Sequence, residues 1–188
     1  MPTLSSLTNP SAYHILTYGT LLGSNLFQTF MNGPIAFTAL PRAQFSTLQQ
    51  AIFPPYFVLQ TALPLVLALT WPGERAASLG GMVARTSAGY RGLMEEGNVW
   101  TALVPVAIMC GTSLLNLVVL GPATTKVMRE RKHQETRDGK RYHDAGPKTT
   151  EMQRLNSSFN YLHSLSSLVN LLGTGAMIYY GFMLAEKL

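Results

Sequence analysis

Asn156, Asn160, His163, Ser167 and Asn170 recur at spacings of 4, 3, 4 and 3, a rhythm that sets all five on one face of a helix. His163 is the only ionisable group among them. An imidazole can pass a proton or ligate a metal, and inside a membrane such a residue is a functional candidate by default. Asn25, Gln28, Thr29 and Asn32 share a face in the same way near the start of the chain, and Thr112, Ser113 and Asn116 do so in between. A polar stripe cannot face lipid, so the three faces are expected to converge inside a helical bundle. Their chemistry has two readings: hydrogen bonding between helices, on average about 0.6 kcal/mol per contact, or a wet pathway or small-molecule site. The stripes hold amides but no Asp, Glu, Lys or Arg to drive ion coupling, which weighs towards packing.

Other reactive patterns are missing. The chain has no Gly-rich phosphate loop ending in Lys-Ser/Thr, no HExxH, no GxSxG and no paired Cys motif, so the familiar signatures of nucleotide, metalloprotease and hydrolase chemistry are absent. His133 and His143 are ten residues apart, which fits no helical metal pair, and no metal site is expected. Cys110 is the one cysteine; it excludes an internal disulfide and a multi-thiolate zinc centre, and reads as mid-span packing. No cofactor is expected.

The elements that must carry these faces follow from where charge is missing. The chain has 188 residues, 47% hydrophobic but only 12% charged, against about 25% charged in an average soluble domain. Four uncharged runs, Met1–Pro41, Ala43–Gly73, Gly97–Thr125 and Leu155–Ala185, are 41, 31, 29 and 31 residues long. Each exceeds the roughly 20 apolar residues needed to cross a bilayer core. The reading is all-α: a single-domain, integral membrane four-helix bundle with spans at about 13–40, 53–71, 99–120 and 156–184. Ser11 is the expected N-cap of the first span, and Pro34 is expected to bend or end it. Pro54 and Pro55 fit the first turn of the second, Pro64 a kink within it, and Pro105 a distortion of the third. Trp71, Trp100, Tyr179 and Tyr180 are expected at interface depth. No Lys or Arg precedes Arg42, so the first run is expected to be retained as a span.

Three linkers separate the spans, a short one at 41–52, a moderately polar one at Pro72–Val99 and a charged one at 121–155. Residues 126–154 hold nine Lys or Arg and five Asp or Glu. They are expected to begin as a helix capped by a Thr after Pro122 and to break at Gly139, Gly146 and Pro147. The first and third linkers carry ten basic residues, the N-terminus, second linker and C-terminus four, which puts those two linkers in the cytosol and both termini across the membrane. Lys126, Arg129, Arg131 and Lys132 are the candidate contacts to anionic lipid or a cytosolic protein partner. The net charge of +5 and pI near 9.5 are explained by this topology, so nucleic acid is not expected as a partner. Gly19-x-x-x-Gly23, Gly173 and Gly175 fit close helix packing, within the chain or in a homo-oligomer.

Leu40-Pro41-Arg42, Phe45, Gln49, Phe53-Pro54 and Tyr56-Phe57 resemble the LPR…F…Q…LFP-x-YF signature of the transmembrane protein 205-like family. Asn116, Pro122, Thr124-Thr125 and Met128 resemble its N…L-E-P-x-T-T…M element. Leu155, Asn156, Phe159, His163, Ser166-Ser167-Leu168 and Asn170-Leu171 resemble its L…N-F…H-x-x-S-S-L-x-N-L element. The resemblance implies a small four-span membrane protein of eukaryotes, in an endomembrane or other organelle membrane, of unestablished activity. Gly121 departs from it where the pattern has Glu, as does Ala43 where relatives can show His.

The leading functional expectation is a non-enzymatic membrane scaffold or trafficking-type interaction protein, whose polar seams fix the bundle and whose basic linker meets lipid or partners. The alternative is a small-solute transporter or permease, oligomeric if four short spans enclose too little volume, with Asn25, Gln28, Asn32, Asn116, Asn160, His163, Ser167 and Asn170 as its seam. An intramembrane enzyme would have His163 as its one credible acid or base.

Overall fold

The computed structural model describes residues 9–76 and 84–187. Asn9, not Ser11, opens the first helix, α1 (Pro10–Leu26): its Oδ1 accepts the Ser11 N–H at 3.0 Å, and Pro10 occupies the first turn, where no intrahelical donor is lost. A π-helical stretch, Phe27–Asn32, leads into α2 (Gly33–Ala39). Leu40 is extended, at φ −112°, as a residue before proline prefers. The chain then turns directly into α3 (Arg42–Leu69). Arg42 closes this corner, its guanidinium 3.5 Å from the centre of the Phe37 ring and donating to the Phe37 carbonyl at 3.4 Å. A cation there offsets the negative end of the preceding helix.

A short antiparallel pair, β1 (Glu74–Ala76) with β2 (Ala84–Thr86), and α4 (Tyr90–Leu93) fill the second connection. A continuous helical run then extends from Glu96 to Asp138 through a π stretch Val99–Leu103, α5 (Val104–Leu115), a second π stretch Asn116–Leu120 and α6 (Gly121–Asp138). Gly139, at φ 61°, ends it, a left-handed cap that glycine takes without strain. The last helix is α7 (Thr150–Lys187). α5 packs between α3 and α7, α1 lies against both, and α6 lies against α7.

Several expected boundaries move, and proline is the common reason. Pro34 and Pro122 do not end their helices, and residues 42–52 are helix, not linker, so Pro54 and Pro55 sit inside α3. Each π stretch ends two residues before a proline. A proline cannot bond the carbonyl four residues back and its ring crowds that carbonyl. The preceding residue reaches back five positions instead: Gly33 N–H to Gln28, Val104 N–H to Val99, and Gly121 N–H to Asn116. At Gly121 this widening leaves no room for a side chain, since a Cβ would lie 2.7 Å from the Asn116 carbonyl oxygen.

The aromatic belt also changes. Trp100 is 74% exposed, but Trp71 and Tyr180 are buried. They pack with His14, whose Nε2 lies 2.7 Å from the Tyr180 hydroxyl and whose Nδ1 lies 3.0 Å from Thr70 Oγ1. Leu21, Leu67, Val106, Met109, Met177 and Leu184 join this cluster, so the bundle is closely packed at the end away from the charged segment. Gly173 packs against Thr112, whereas a side chain at Gly19, Gly23 or Gly175 would meet nothing in the chain within 4 Å. Among the described residues, then, no neighbouring helix closes on Gly19 or Gly23.

Three helical runs, Arg42–Leu69, Glu96–Asp138 and Thr150–Lys187, are long and apolar enough to cross a membrane. Pro10–Ala39 is as long but more polar on average.

Candidate functional site: a lateral cavity

At the charged end the bundle opens into a cavity of about 830 Å³, within the size range of small-molecule sites, about 300–1,000 Å³. Its walls are residues 28–37, 45–57, 121–131 and 156–170, with Tyr142, His143 and Lys148 from the loop between α6 and α7.

The floor is a hydrogen-bonded layer contributed by α1, α3 and α7. Asn25, 1% exposed, donates to the Tyr56 hydroxyl at 3.1 Å and accepts from Thr174 Oγ1 at 2.7 Å. Tyr56 donates to Asn170 Oδ1 at 3.2 Å, and Asn170 Nδ2 donates to Thr29 Oγ1 at 2.9 Å. Below it Gln60 Nε2 donates to Ser24 Oγ at 2.9 Å, and Ser113 Oγ donates to the Gln60 carbonyl at 3.0 Å. This layer separates the cavity from the closely packed cluster.

Asn156, Asn160, His163, Ser167 and Asn170 all line the cavity, as do Gln28 and Thr29. Asn160, His163 and Ser167 are exposed in its wall. The His163 ring stacks on Phe159, centroids 5.6 Å apart and 5° from parallel, and makes no hydrogen bond among the described residues. Two expected seam residues, Asn32 and Asn116, do not line it. Asn32 is half-buried and bonds back to Gln28 Oε1 at 2.8 Å. Asn116 is buried and ties α5 to α7: it accepts from Ser166 Oγ at 2.7 Å, its Nδ2 donates to the Ser166 carbonyl at 3.3 Å, and it borders a smaller cavity of about 490 Å³. The extra residue in the Phe27–Asn32 π stretch turns Asn32 off the face that Asn25 shares, since a face counted at 3.6 residues per turn does not carry through it.

Of the motif residues, Leu40, Pro41 and Arg42 form the corner before α3, Phe53, Tyr56 and Phe57 line the cavity, and Thr124 and Thr125 line it from α6. Pro54 and Pro122 border the smaller cavity. Lys126, Arg129 and Lys132 are exposed. Arg131 is not: it is 7% exposed and forms part of the cavity wall, so its expected lipid or partner contact is corrected. Its guanidinium lies 4.1 Å from the centroids of both Tyr142 and Phe159. Burial pulls its pKa below the ordinary value, yet a guanidinium stays charged. At the exposed start of α7 the Arg154 guanidinium, 2.7 Å from Glu151, holds that carboxyl below the usual range. Among the described residues no three His, Cys, Asp or Glu gather as a metal centre would require.

Sequence reasoning did not single out Phe45 and Gln49 as site residues. With Phe53 and Tyr56 they recur at spacings of 4, 4 and 3, a helical stripe hidden by reading 41–52 as a linker. Tyr142 and Lys148 reach the site only through the return of the loop, which leaves no local signal, whereas Phe159 shares the α7 face of Asn156 and His163.

These elements define a helical, membrane-associated protein with an amphipathic cavity opening beside its charged segment. The chain belongs to the family described as Domain of unknown function (DUF4149), which matches residues 16–133. It is also 30% identical over 185 residues to "Xanthocillin biosynthesis cluster protein D" of Aspergillus fumigatus, covering 98% of this chain and 95% of that one. No solved structure matches the chain.

Proposed function

We propose that the protein is a non-enzymatic, four-span membrane protein that binds a small amphipathic molecule in the lateral cavity, as a carrier or permease would. The observation that carries this is the cavity itself: about 830 Å³, floored by hydrogen-bonding amides and walled by Phe37, Phe45, Phe53, Phe57 and Phe159. A seam serving helix packing alone would be filled by its own side chains. The non-enzymatic part is supported by His163, which stacks on a phenylalanine in a wall holding no carboxylate. A fungal relative named for a biosynthesis cluster is compatible with small-molecule handling and with a eukaryotic endomembrane. The narrower likeness, to transmembrane protein 205-like proteins, rests on the Leu40-Pro41-Arg42, Pro122-Ala123-Thr124-Thr125 and His163-to-Asn170 blocks.

The test uses the single cysteine. Cys110 is replaced by Ser, one Cys is placed in turn at Asn160, His163, Ser167 and Asn170, and labelling by a membrane-impermeant thiol reagent is measured. Thiolate formation needs water, so Asn160, His163 and Ser167 positions should label, and Asn170, tied into the floor, should label least. Failure of all wall positions to label in folded protein removes the reading.

A second reading, a scaffold that meets anionic lipid or a protein partner, is supported by the outward face of α6, where Lys126, Arg129 and Lys132 are all exposed. The two readings are separable because the cavity uses the opposite face of that helix.

A further inference from the structure

Among the described residues Arg131 is a buried cation that forms no salt bridge. It is 7% exposed, its Nη1 donates a long 3.4 Å bond to Asn156 Oδ1, and its Nε has no acceptor. Among the described residues no carboxylate oxygen lies within 4.0 Å of it. Glu135, one turn along the same helix, is the acidic side chain that acts on it, and that carboxylate accepts the Tyr142 N–H at 2.8 Å. The two aromatic faces clamp the guanidinium plane, which favours the charge but supplies no anion. A buried cation is costly unless an anion or full hydrogen bonding offsets it.

The surroundings point the same way. Lys148, His143 and His163 line the cavity with Arg131, and no Asp or Glu does. Gln28 and Gln49, 8% and 6% exposed, also form its wall, and each has an amide nitrogen without an acceptor. Phenylalanines from α2 and α3 supply the apolar remainder.

We infer that the cavity takes an amphiphile with an anionic head group, carboxylate or phosphate, seated at Arg131 with its apolar body against Phe37, Phe45, Phe53 and Phe57. Arg131 reads the head through its forked donors, and Lys148 adds positive potential beside it. This rests on the small-molecule reading above.

The experiment uses the full chain in phosphatidylcholine nanodiscs, with cis-parinaric acid and its methyl ester as fluorescent probes of matched apolar body. The acid should bind saturably and about tenfold or more tightly than the ester, as expected for charge-assisted recognition. Arg131→Met should abolish that difference, and Arg131→Lys should restore most of it. Dodecanoate and dodecyl phosphate, added as competitors, distinguish the two head groups: displacement by either supports the site, and the stronger names its source. Equal binding of acid and ester, discrimination retained in Arg131→Met, or displacement by neither competitor overturns the inference while leaving the cavity reading standing. Saturable binding of neither probe overturns both. If Arg131→Met does not fold, the acid-against-ester comparison in the unchanged protein decides alone.

Discussion

Tyr56 is the side chain on which the cavity floor converges, since its hydroxyl accepts from Asn25 and donates to Asn170. Removing that hydroxyl leaves Asn25 Nδ2 and Asn170 Oδ1 only the long 3.4 Å bond to each other. Hydrogen bonds between membrane helices average about 0.6 kcal/mol and reach about 1.7. Tyr56→Phe loses two of them while keeping the ring packed on Phe57, 5.1 Å between centroids. It should lower stability by roughly 1 to 2 kcal/mol, read from unfolding of the purified protein in mixed micelles; an unchanged midpoint would mean the layer is not mutually supporting. The amides of this layer were legible as stripes, because intervals of three and four residues declare a face. Their partners were not. Tyr56 meets Asn170 across 114 positions and His14 meets Tyr180 across 166, and no local pattern encodes pairings at that separation.

At the scale of elements, charge-free runs located the helices well, because loops keep the charges that lipid-facing helix cannot hold. Their ends were misread wherever proline was treated as a terminator. The π stretches let the chain pass Pro34, Pro105 and Pro122 with one backbone bond displaced and no break, and so join α5 to α6 in a single run. That continuity gives α6 two faces with different duties. Arg131 and Gln134 are buried, while Lys126, Arg129, Lys132 and His133 are exposed. Lys126 and Glu130, at 4.0 Å and largely solvated, contribute little to the fold. Neutralising Lys126, Arg129 and Lys132 to Gln should therefore leave the unfolding midpoint and probe binding near those of the unchanged protein. Each basic group near an anionic surface is worth about 1 kcal/mol, so association of the detergent-purified protein with phosphatidylserine vesicles should fall by roughly a hundredfold. Persistence of that association would remove the scaffold reading in its lipid form.

The whole molecule turns on whether Pro10–Ala39 crosses the membrane with the three more apolar runs. Averaging hydropathy along this run mixes two faces that the fold keeps apart. His14, Asn25 and Gln28 are buried, whereas Leu16, Phe27, Phe30 and Ile35 are more than half exposed on the outer surface. Thr20 and Thr38, exposed on that surface, each donate to the carbonyl four residues before, at 2.8 and 3.2 Å. In hydrocarbon that bond removes the penalty of an unpaired donor. The surface this run presents is thus apolar even though its composition is not. Thirty residues, 10–39, reach about 45 Å at 1.5 Å each, enough to span with tilt. Four crossings put both termini on one side and residues 126–154 on the other; three crossings put the termini on opposite sides. Tags at each end and a third at Gly146, digested by protease in sealed vesicles, separate these arrangements. Terminal tags protected together while the Gly146 tag is cleaved, or the reverse, give the four-span bundle, and an N-terminal tag that follows Gly146 gives three. Only the four-span result lets α1 and α2 wall a cavity at membrane depth, so the same digestion bears on whether an amphiphile reaches Arg131 from the bilayer.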